Sequence, residues 1–100
     1  MKHSIRGIDH IGITVPDIQA ATAFLSVALG AELIYESVGL EDESPDEQAQ
    51  QKTLNLVPGT VVKAVRMLKL HHGPGIELFQ MQGPSQREPL RPNDFGLQHF

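Results

Sequence analysis

Hydrophobic and polar residues alternate near the start of the chain, which is the pattern of a strand with one buried face. The strand predicted over 8–15 carries apolar side chains on one face and polar or small residues on the other, namely Ile11, Ile13 and Val15 against His10, Gly12 and Thr14. We expect this strand to end at Pro16.

The spacing of apolar positions then changes to that of a helix. These positions share one helical face: Ile18, Ala21, Leu25, Ala28 and Leu29. Asp17 is the predicted N-cap, because its carboxylate can accept from the first free backbone N–H groups. Gly30 is the predicted stop, since glycine adopts the left-handed conformation without steric cost.

The remainder of the chain predicts three more strands and the opening of a fifth. The strands are expected at 31–38, 61–70 and 76–82, with a turn at 71–75 and a further strand beginning at 96–100. The polar, acidic segment 41–59 predicts a long solvated loop, or alternatively a lid. The order β-α-β-β-β predicts an α+β fold in which one helix covers one face of the sheet.

The composition limits which binding partners and which cellular compartment we expect for this protein. The chain has 100 residues, 8 Lys and Arg against 12 Asp and Glu, a net charge of −4 and no cysteine. Without a basic stripe, a signal sequence or an apolar run that could span a bilayer, we expect a soluble cytoplasmic protein that binds neither nucleic acid nor a membrane. A domain this small buries a modest share of its surface, so a second chain or further sequence would stabilise it.

Three side chains suited to a divalent metal lie in or beside predicted strands: His10, Glu77 and His99. They are far apart in sequence, so only a sheet could bring them together. Each also has an ordinary interpretation. His10 and Glu77 could be a hydrogen-bonded histidine and an exposed carboxylate, and His99 means little without Gly96 and Leu97 before it. The residues alone leave both interpretations open for all three positions.

Other residues could contact a substrate. The Arg66 guanidinium could hold a carboxylate or phosphate, although a structural salt bridge is the stronger interpretation. Phe79 and Met81 share a strand face with Glu77 by alternation and could form an apolar wall of a pocket. His71 and His72 lie in the turn, where we expect solvent exposure.

Four segments resemble the vicinal oxygen chelate superfamily, which includes glyoxalase I, methylmalonyl-CoA epimerase, fosfomycin resistance proteins and extradiol dioxygenases. The matching segments are 9–17, the helix end Leu29-Gly30, 75–79 and 96–100. The resemblance implies a βαβββ module at 1–82, with a curved mixed sheet and one helix on its convex face. It further implies a linker at 83–95 and the truncated start of a second module at 96–100.

The resemblance also implies the chemistry. In that family two modules enclose one divalent metal (Zn, Ni, Co, Fe or Mn), and His10, Glu77 and His99 would be three ligands of it. The usual fourth ligand has no counterpart here. A metal-dependent lyase or isomerase would follow, acting on a small oxygen-rich substrate through an enediolate or oxyanion. Glu77 would be a candidate catalytic acid–base group, although the resemblance assigns the proton transfer more readily to the missing fourth ligand.

Three other interpretations stay open. The chain could be a metal-free ligand-binding protein resembling bleomycin-binding proteins, or an extradiol-dioxygenase-like protein. It could also be part of a longer sequence. If it is complete, we expect a homodimer that closes the cleft between subunits.

Overall fold

The computed structural model describes residues 4–43 and 46–97. In chain order the elements are β1 (His10–Thr14), α1 (Ile18–Leu29), β2 (Glu32–Val38), α2 (Glu47–Leu54), β3 (Val61–Lys69) and β4 (Gly75–Gln82). The α+β class is confirmed, and each of these strands begins and ends within two residues of its predicted bounds.

The four strands form one mixed, curved sheet in the order β1-β4-β3-β2. β1 runs parallel to β4, whereas β3 is antiparallel to both β4 and β2. The last strand of the described residues, β4, therefore lies inside the sheet, directly beside β1. This arrangement makes residues near the start of β1 neighbours of residues in β4.

Helix α1 forms where the sequence predicts it. The Asp17 carboxylate accepts from the backbone N–H groups of Gln19 and Ala20, both at 3.0 Å. Gly30 ends the helix in the left-handed region at φ 69°, which costs glycine little because it has no Cβ. Both cap predictions are confirmed.

The core lies between α1 and the sheet. Its buried members are Ile18, Ala31, Ala64, Leu68, Ile76 and Leu78, with partly buried apolar residues of β1 and α1 packed around them. A polar contact joins the same two layers. The Gln80 side-chain oxygen in β4 accepts from the backbone N–H of Ile18 at 2.9 Å, so the first turn of α1 is bonded to the sheet.

The segment 41–59 contains a helix, and the prediction of an irregular loop there was wrong. Asp46 caps α2 by accepting from the backbone N–H groups of Gln48 and Ala49 at 2.9 and 3.3 Å, and Asn55 ends it in the left-handed region. Gln, Glu and Lys are good helix formers. None of the helix is buried, so it has no apolar stripe that hydrophobic periodicity could reveal.

After β4 the chain has no regular element among the residues that the structure describes. Residues 83–95 form turns and bends, and their role as a linker between modules stays a prediction. Gly96 and Leu97 are not in a strand, and the rest of the predicted fifth strand lies outside the described residues. No helix in the described ranges is long and apolar enough to cross a membrane.

Candidate functional site

The candidate site lies on the sheet face opposite α1, which we call the open face. Directly paired residues of neighbouring strands point to the same side of a sheet. One row across the four strands is therefore Gly12, Glu77, Met67 and Tyr35, and the adjacent row is His10, Gly75, Lys69 and Glu32. Because Leu68, Ile76 and Leu78 face the core, these two rows face away from α1.

His10 and Glu77 meet on this face. The distance from His10 Nε2 to Glu77 Oε1 is 3.7 Å, and both side chains remain partly accessible, at 42% and 26%. With metal–ligand bonds of about 2.1 Å, two ligands of a tetrahedral ion lie about 3.4 Å apart. The two side chains are therefore close enough to share one cation.

A glycine beside the pair allows the close approach of the His10 Cβ atom. Gly75 is buried and lies next to His10 in the register. A Cβ at this position would lie 3.2 Å from His10 Cβ and 3.3 Å from both Met67 Sδ and the Leu68 carbonyl oxygen. A larger residue at 75 would therefore require small shifts of these atoms, two of which, His10 Cβ and the Leu68 carbonyl oxygen, move only with the backbone.

Asp9 forms a hydrogen bond with the other ring nitrogen of His10. Asp9 Oδ2 lies 2.7 Å from His10 Nδ1. An ionised carboxylate only accepts, so Nδ1 carries the proton and Nε2 faces Glu77. This hydrogen bond raises the pKa of His10 above its ordinary value; partial burial opposes the rise, and the negative charges of Glu77 and Asp9 add to it.

Phe79 and Met81 lie on the open face, as alternation along β4 predicts. Phe79 pairs with Thr14 and with Val65, one row beyond Glu77, and Met81 pairs with Val62. Phe79 is half-buried, and its ring edge lies 3.6 Å from where a Cβ on Gly12 would be. A substrate-binding role for Phe79 and Met81 stays a prediction.

Arg66 lies on the opposite side of the sheet, facing α1. Its Nε donates to Glu36 Oε2 at 2.6 Å, and its Nη1 donates to Thr22 Oγ1 at 3.0 Å. The side chain is only 16% exposed. Arg66 therefore lies on the other side of the sheet from His10 and Glu77. Its contact with Glu36 is the structural salt bridge that the sequence analysis considered.

His99 lies outside the described residues, so its place relative to the pair stays a prediction. Within 4–43 and 46–97, no group of three His, Cys, Asp or Glu side chains is placed to hold a metal ion. The described part of the chain thus contributes two neighbouring candidate ligands, His10 and Glu77.

Sequence reasoning missed two open-face neighbours of the pair, Met67 and Tyr35. Met67 pairs directly with Glu77, and Tyr35 pairs with Met67. Alternation along β3 could have placed Met67 on the sheet face opposite to that of Arg66, because the two residues are adjacent in one strand. Nothing in the sequence places Tyr35, because irregular pairing between Leu33 and Tyr35 changes the alternation of β2 relative to β3.

Two openings in the described surface differ in chemistry. A pocket of about 270 Å³ is lined by His10 and by residues of β2, β3 and β4. A larger one, of about 480 Å³, lies at the other end of β1, between 14–16 and 86–89. Its lining includes one carboxylate, Glu88, and no histidine, so only the smaller pocket adjoins the candidate site.

Comparison with known proteins agrees with this architecture. The family model of the Glyoxalase/Bleomycin resistance protein/Dioxygenase superfamily matches residues 7–100, and the chain belongs to that superfamily. It is also similar to the 2-epi-5-epi-valiolone epimerase of Actinomyces sp, with 33% identity over 94 residues, which cover 93% of this chain and 49% of that protein. The chain spans about half the length of this curated relative.

Members of the superfamily often bind divalent metals. The open face of this chain carries an imidazole nitrogen and a carboxylate oxygen at a separation suited to such an ion. The family and the fold implied by the sequence resemblance are therefore confirmed, and the metal stays part of the proposal below.

Proposed function

We propose that this chain forms one half of a metal-dependent isomerase site of the glyoxalase type, which acts on a small oxygen-rich substrate. The observation that carries the proposal is the meeting of His10 Nε2 and Glu77 Oε1 at 3.7 Å on the open face. These residues are distant in sequence, and the parallel pairing of β1 with β4 makes them neighbours.

The donors present fit a divalent metal. Imidazole and carboxylate suit Zn²⁺, Ni²⁺, Co²⁺, Fe²⁺ and Mn²⁺. A ligating histidine usually donates its second N–H to a carboxylate, which is what His10 does with Asp9. His99 is the further ligand that the family resemblance implies, and a second module, in the same polypeptide or in a second copy, would complete the set.

The reaction class that we propose is inversion at a carbon made acidic by a neighbouring carbonyl. The similar Actinomyces protein is named as an epimerase. A bound divalent metal would supply Lewis acidity for the negative charge that forms on a substrate oxygen. Glu77 is the acid–base group of this chain: one carboxylate oxygen faces His10, and the other can accept a proton from carbon and return it.

Inversion also requires a proton donor on the opposite side of that carbon. The sheet of this chain borders only one side of the cleft, so the second acid–base group belongs to the other half of the site. Both the full site and the activity therefore depend on a second module.

Metal content tests the proposal directly. We expect protein from metal-replete expression to retain a stoichiometric divalent ion, and the His10→Ala/Glu77→Ala double variant to lose it, as measured by mass spectrometry of the elements. His72→Ala is the matched control, because His72 is exposed in the turn before β4 and should leave the metal content unchanged. Metal-free wild-type protein would refute the proposal.

The reaction class has its own test, with 2-epi-5-epi-valiolone as the probe. In deuterated water we expect the wild-type protein to exchange a carbon-bound hydrogen of the probe for deuterium, measured by NMR. Glu77→Gln should abolish the exchange, because an amide cannot take up the proton. Exchange at the wild-type rate in Glu77→Gln would rule out Glu77 as the acid–base group.

A ligand-binding protein that performs no reaction is the second candidate. It is favoured by the partly accessible apolar residues on the open face, namely Phe79, Met67 and Met81. Such a protein would bind metal-free bleomycin with an affinity that is unaffected by a chelator. Under the isomerase proposal, a chelator abolishes the exchange reaction.

A further inference from the structure

The pocket beside His10 is bounded by both edges of the sheet. It is lined by the following residues: Asp9, His10, Ile34, Tyr35, Met67, Leu68, Lys69 and Gly75. β1 and β2 are the two edge strands, so a pocket shared by His10 and Tyr35 reaches across the sheet from one edge to the other. A molecule held at His10 would therefore extend across the face toward β2.

We propose that Tyr35 and Met67 form a specificity subsite for an uncharged ring of the substrate, whose paired oxygens lie at His10 and Glu77. This inference rests on the proposed function and adds to it the direction and the chemical class of the substrate. Nothing in the family match assigns a role to either residue.

The register sets the size of the molecule that would fit. Tyr35, Met67 and Glu77 lie in one row on three adjacent strands. Strands are about 4.8 Å apart, so Tyr35 lies about 10 Å from Glu77 along the sheet. That span suits a molecule with two neighbouring oxygens at one end and a single ring at the other.

The side chains of the subsite are available and suited to a ring. Tyr35 is 50% exposed, and within the described ranges its ring stacks on no aromatic side chain and its hydroxyl has no hydrogen-bond partner. A tyrosine ring offers a flat apolar surface, and methionine adapts its shape to what it contacts. Met67 lies between Tyr35 and Glu77 and forms the floor.

The charges at the rim favour an uncharged substrate ring. The Lys69 ammonium and the Asp9 carboxylate carry opposite charges, so the rim presents no single charge to a charged ring. Each also makes a hydrogen bond within the chain, Lys69 to the carbonyl oxygen of Gly73 and Asp9 to His10. Ile34 adds apolar surface to the same wall. Met81, in contrast, lines a different pocket at the other end of β4, together with 55–57, Thr60, Gly83, Ser85 and Gln86.

Two hydroxamates test the subsite, because they carry the same pair of oxygens and differ only in a methyl or phenyl group. We expect the Co²⁺-loaded protein, followed by its visible spectrum, to bind benzohydroxamate about tenfold more tightly than acetohydroxamate, because the phenyl ring loses water contact against Tyr35 and Met67. Tyr35→Ala and Met67→Ala should each reduce this ratio to roughly threefold or less, whereas Tyr35→Phe retains it.

The controls separate failure of the subsite from failure of the metal site. Phe24→Ala removes an exposed aromatic from α1, on the other side of the sheet, and should leave the ratio unchanged. A ratio that is unaffected by Tyr35→Ala and Met67→Ala, or that collapses in Met81→Ala instead, overturns the subsite alone. If the wild-type protein takes up no Co²⁺, the proposed function fails and the subsite fails with it.

Discussion

At the scale of single residues, the candidate site depends on one hydrogen bond between sequence neighbours. Asp9 holds Nδ1 of His10 and leaves Nε2 directed at Glu77. Without Asp9 the ring could carry its proton on either nitrogen and rotate away. Asp9 is thus the residue that positions His10 for a role at Nε2.

We predict that Asp9→Asn lowers the pKa of His10, because the hydrogen bond to Asp9 is the main cause that raises it. The measurement is an NMR titration of the His10 ring in metal-free protein. Asp94→Asn is the matched control, since the Asp94 carboxylate accepts instead from the backbone N–H of Arg91. An unchanged His10 titration in Asp9→Asn would contradict this prediction.

The same shift predicts a pH dependence of stability. The ordinary pKa of His10 is 6.5, and folding raises it. The protonated ring therefore stabilises the fold fully below about pH 6.5, and this contribution is lost as the pH rises through the folded-state pKa. In urea unfolding of metal-free protein, the free energy of unfolding of wild type should exceed that of Asp9→Asn, and this difference should shrink as the pH rises through that window. A difference that stays constant with pH would contradict the prediction.

Gly75→Ala tests whether the space beside His10 is needed. The new Cβ would approach the His10 side chain, Met67 Sδ and the Leu68 carbonyl oxygen, and that backbone atom can move little. We expect a loss of about 1–3 kcal/mol in the free energy of unfolding, together with weaker metal binding. Gly7→Ala is the control, since nothing lies near a Cβ at that position; equal stability of the two variants would be the contrary result.

At the scale of elements, α1 and β4 are joined by a polar contact as well as by the core. Ile18 is fully buried, and its backbone N–H donates to the Gln80 side chain. Replacing Gln80 with an apolar residue would leave that N–H without its partner. The contact thus fixes the start of the helix against the strand that carries Glu77.

We predict that Gln80→Leu lowers the free energy of unfolding by about 1–3 kcal/mol, the cost of an unpaired buried donor. The matched control is Gln82→Leu, two residues further along β4, where the side chain is exposed and a change of less than about 0.5 kcal/mol is expected. Chemical denaturation measures both. If Gln80→Leu leaves the free energy of unfolding unchanged, water or the backbone must accept the hydrogen bond from the Ile18 N–H in its place.

At the scale of the whole molecule, the two faces of the sheet differ. One face is covered by α1, and the open face carries His10, Glu77 and partly buried apolar residues. Small domains bury a limited share of their surface, so a partner on the open face would stabilise the fold. The similar epimerase is about twice as long as this chain, so its remaining length could hold a second unit of this size.

We therefore predict that this 100-residue chain, expressed alone, forms a homodimer in which the open faces enclose one cleft. Sedimentation over a range of concentrations measures the assembly. Phe79→Glu should dissociate the dimer by placing a charge on the open face, whereas Val27→Glu, on the exposed side of α1, should not. A monomer at all concentrations would contradict the prediction, as would a dimer dissociated only by Val27→Glu.

The sequence alone determined the local elements of this protein. Alternation predicted the strands, and Asp17 and Gly30 predicted both ends of α1, because these signals act between residues that are close along the chain. Helix α2 escaped prediction because a helix that buries nothing leaves no hydrophobic period. Alternation also placed Glu77, Phe79 and Met81 on one face, since they share a strand.

Only the tertiary structure decided which residues meet. Strand order and register brought His10 to Glu77, placed Arg66 against Glu36 on the helix side, and set Tyr35 in the row of Met67 and Glu77. A sequence fixes which residues of one strand share a face, but which face is covered and which strands are neighbours depend on the packing of the whole chain. Side chains distant in sequence form a site only after that packing is complete.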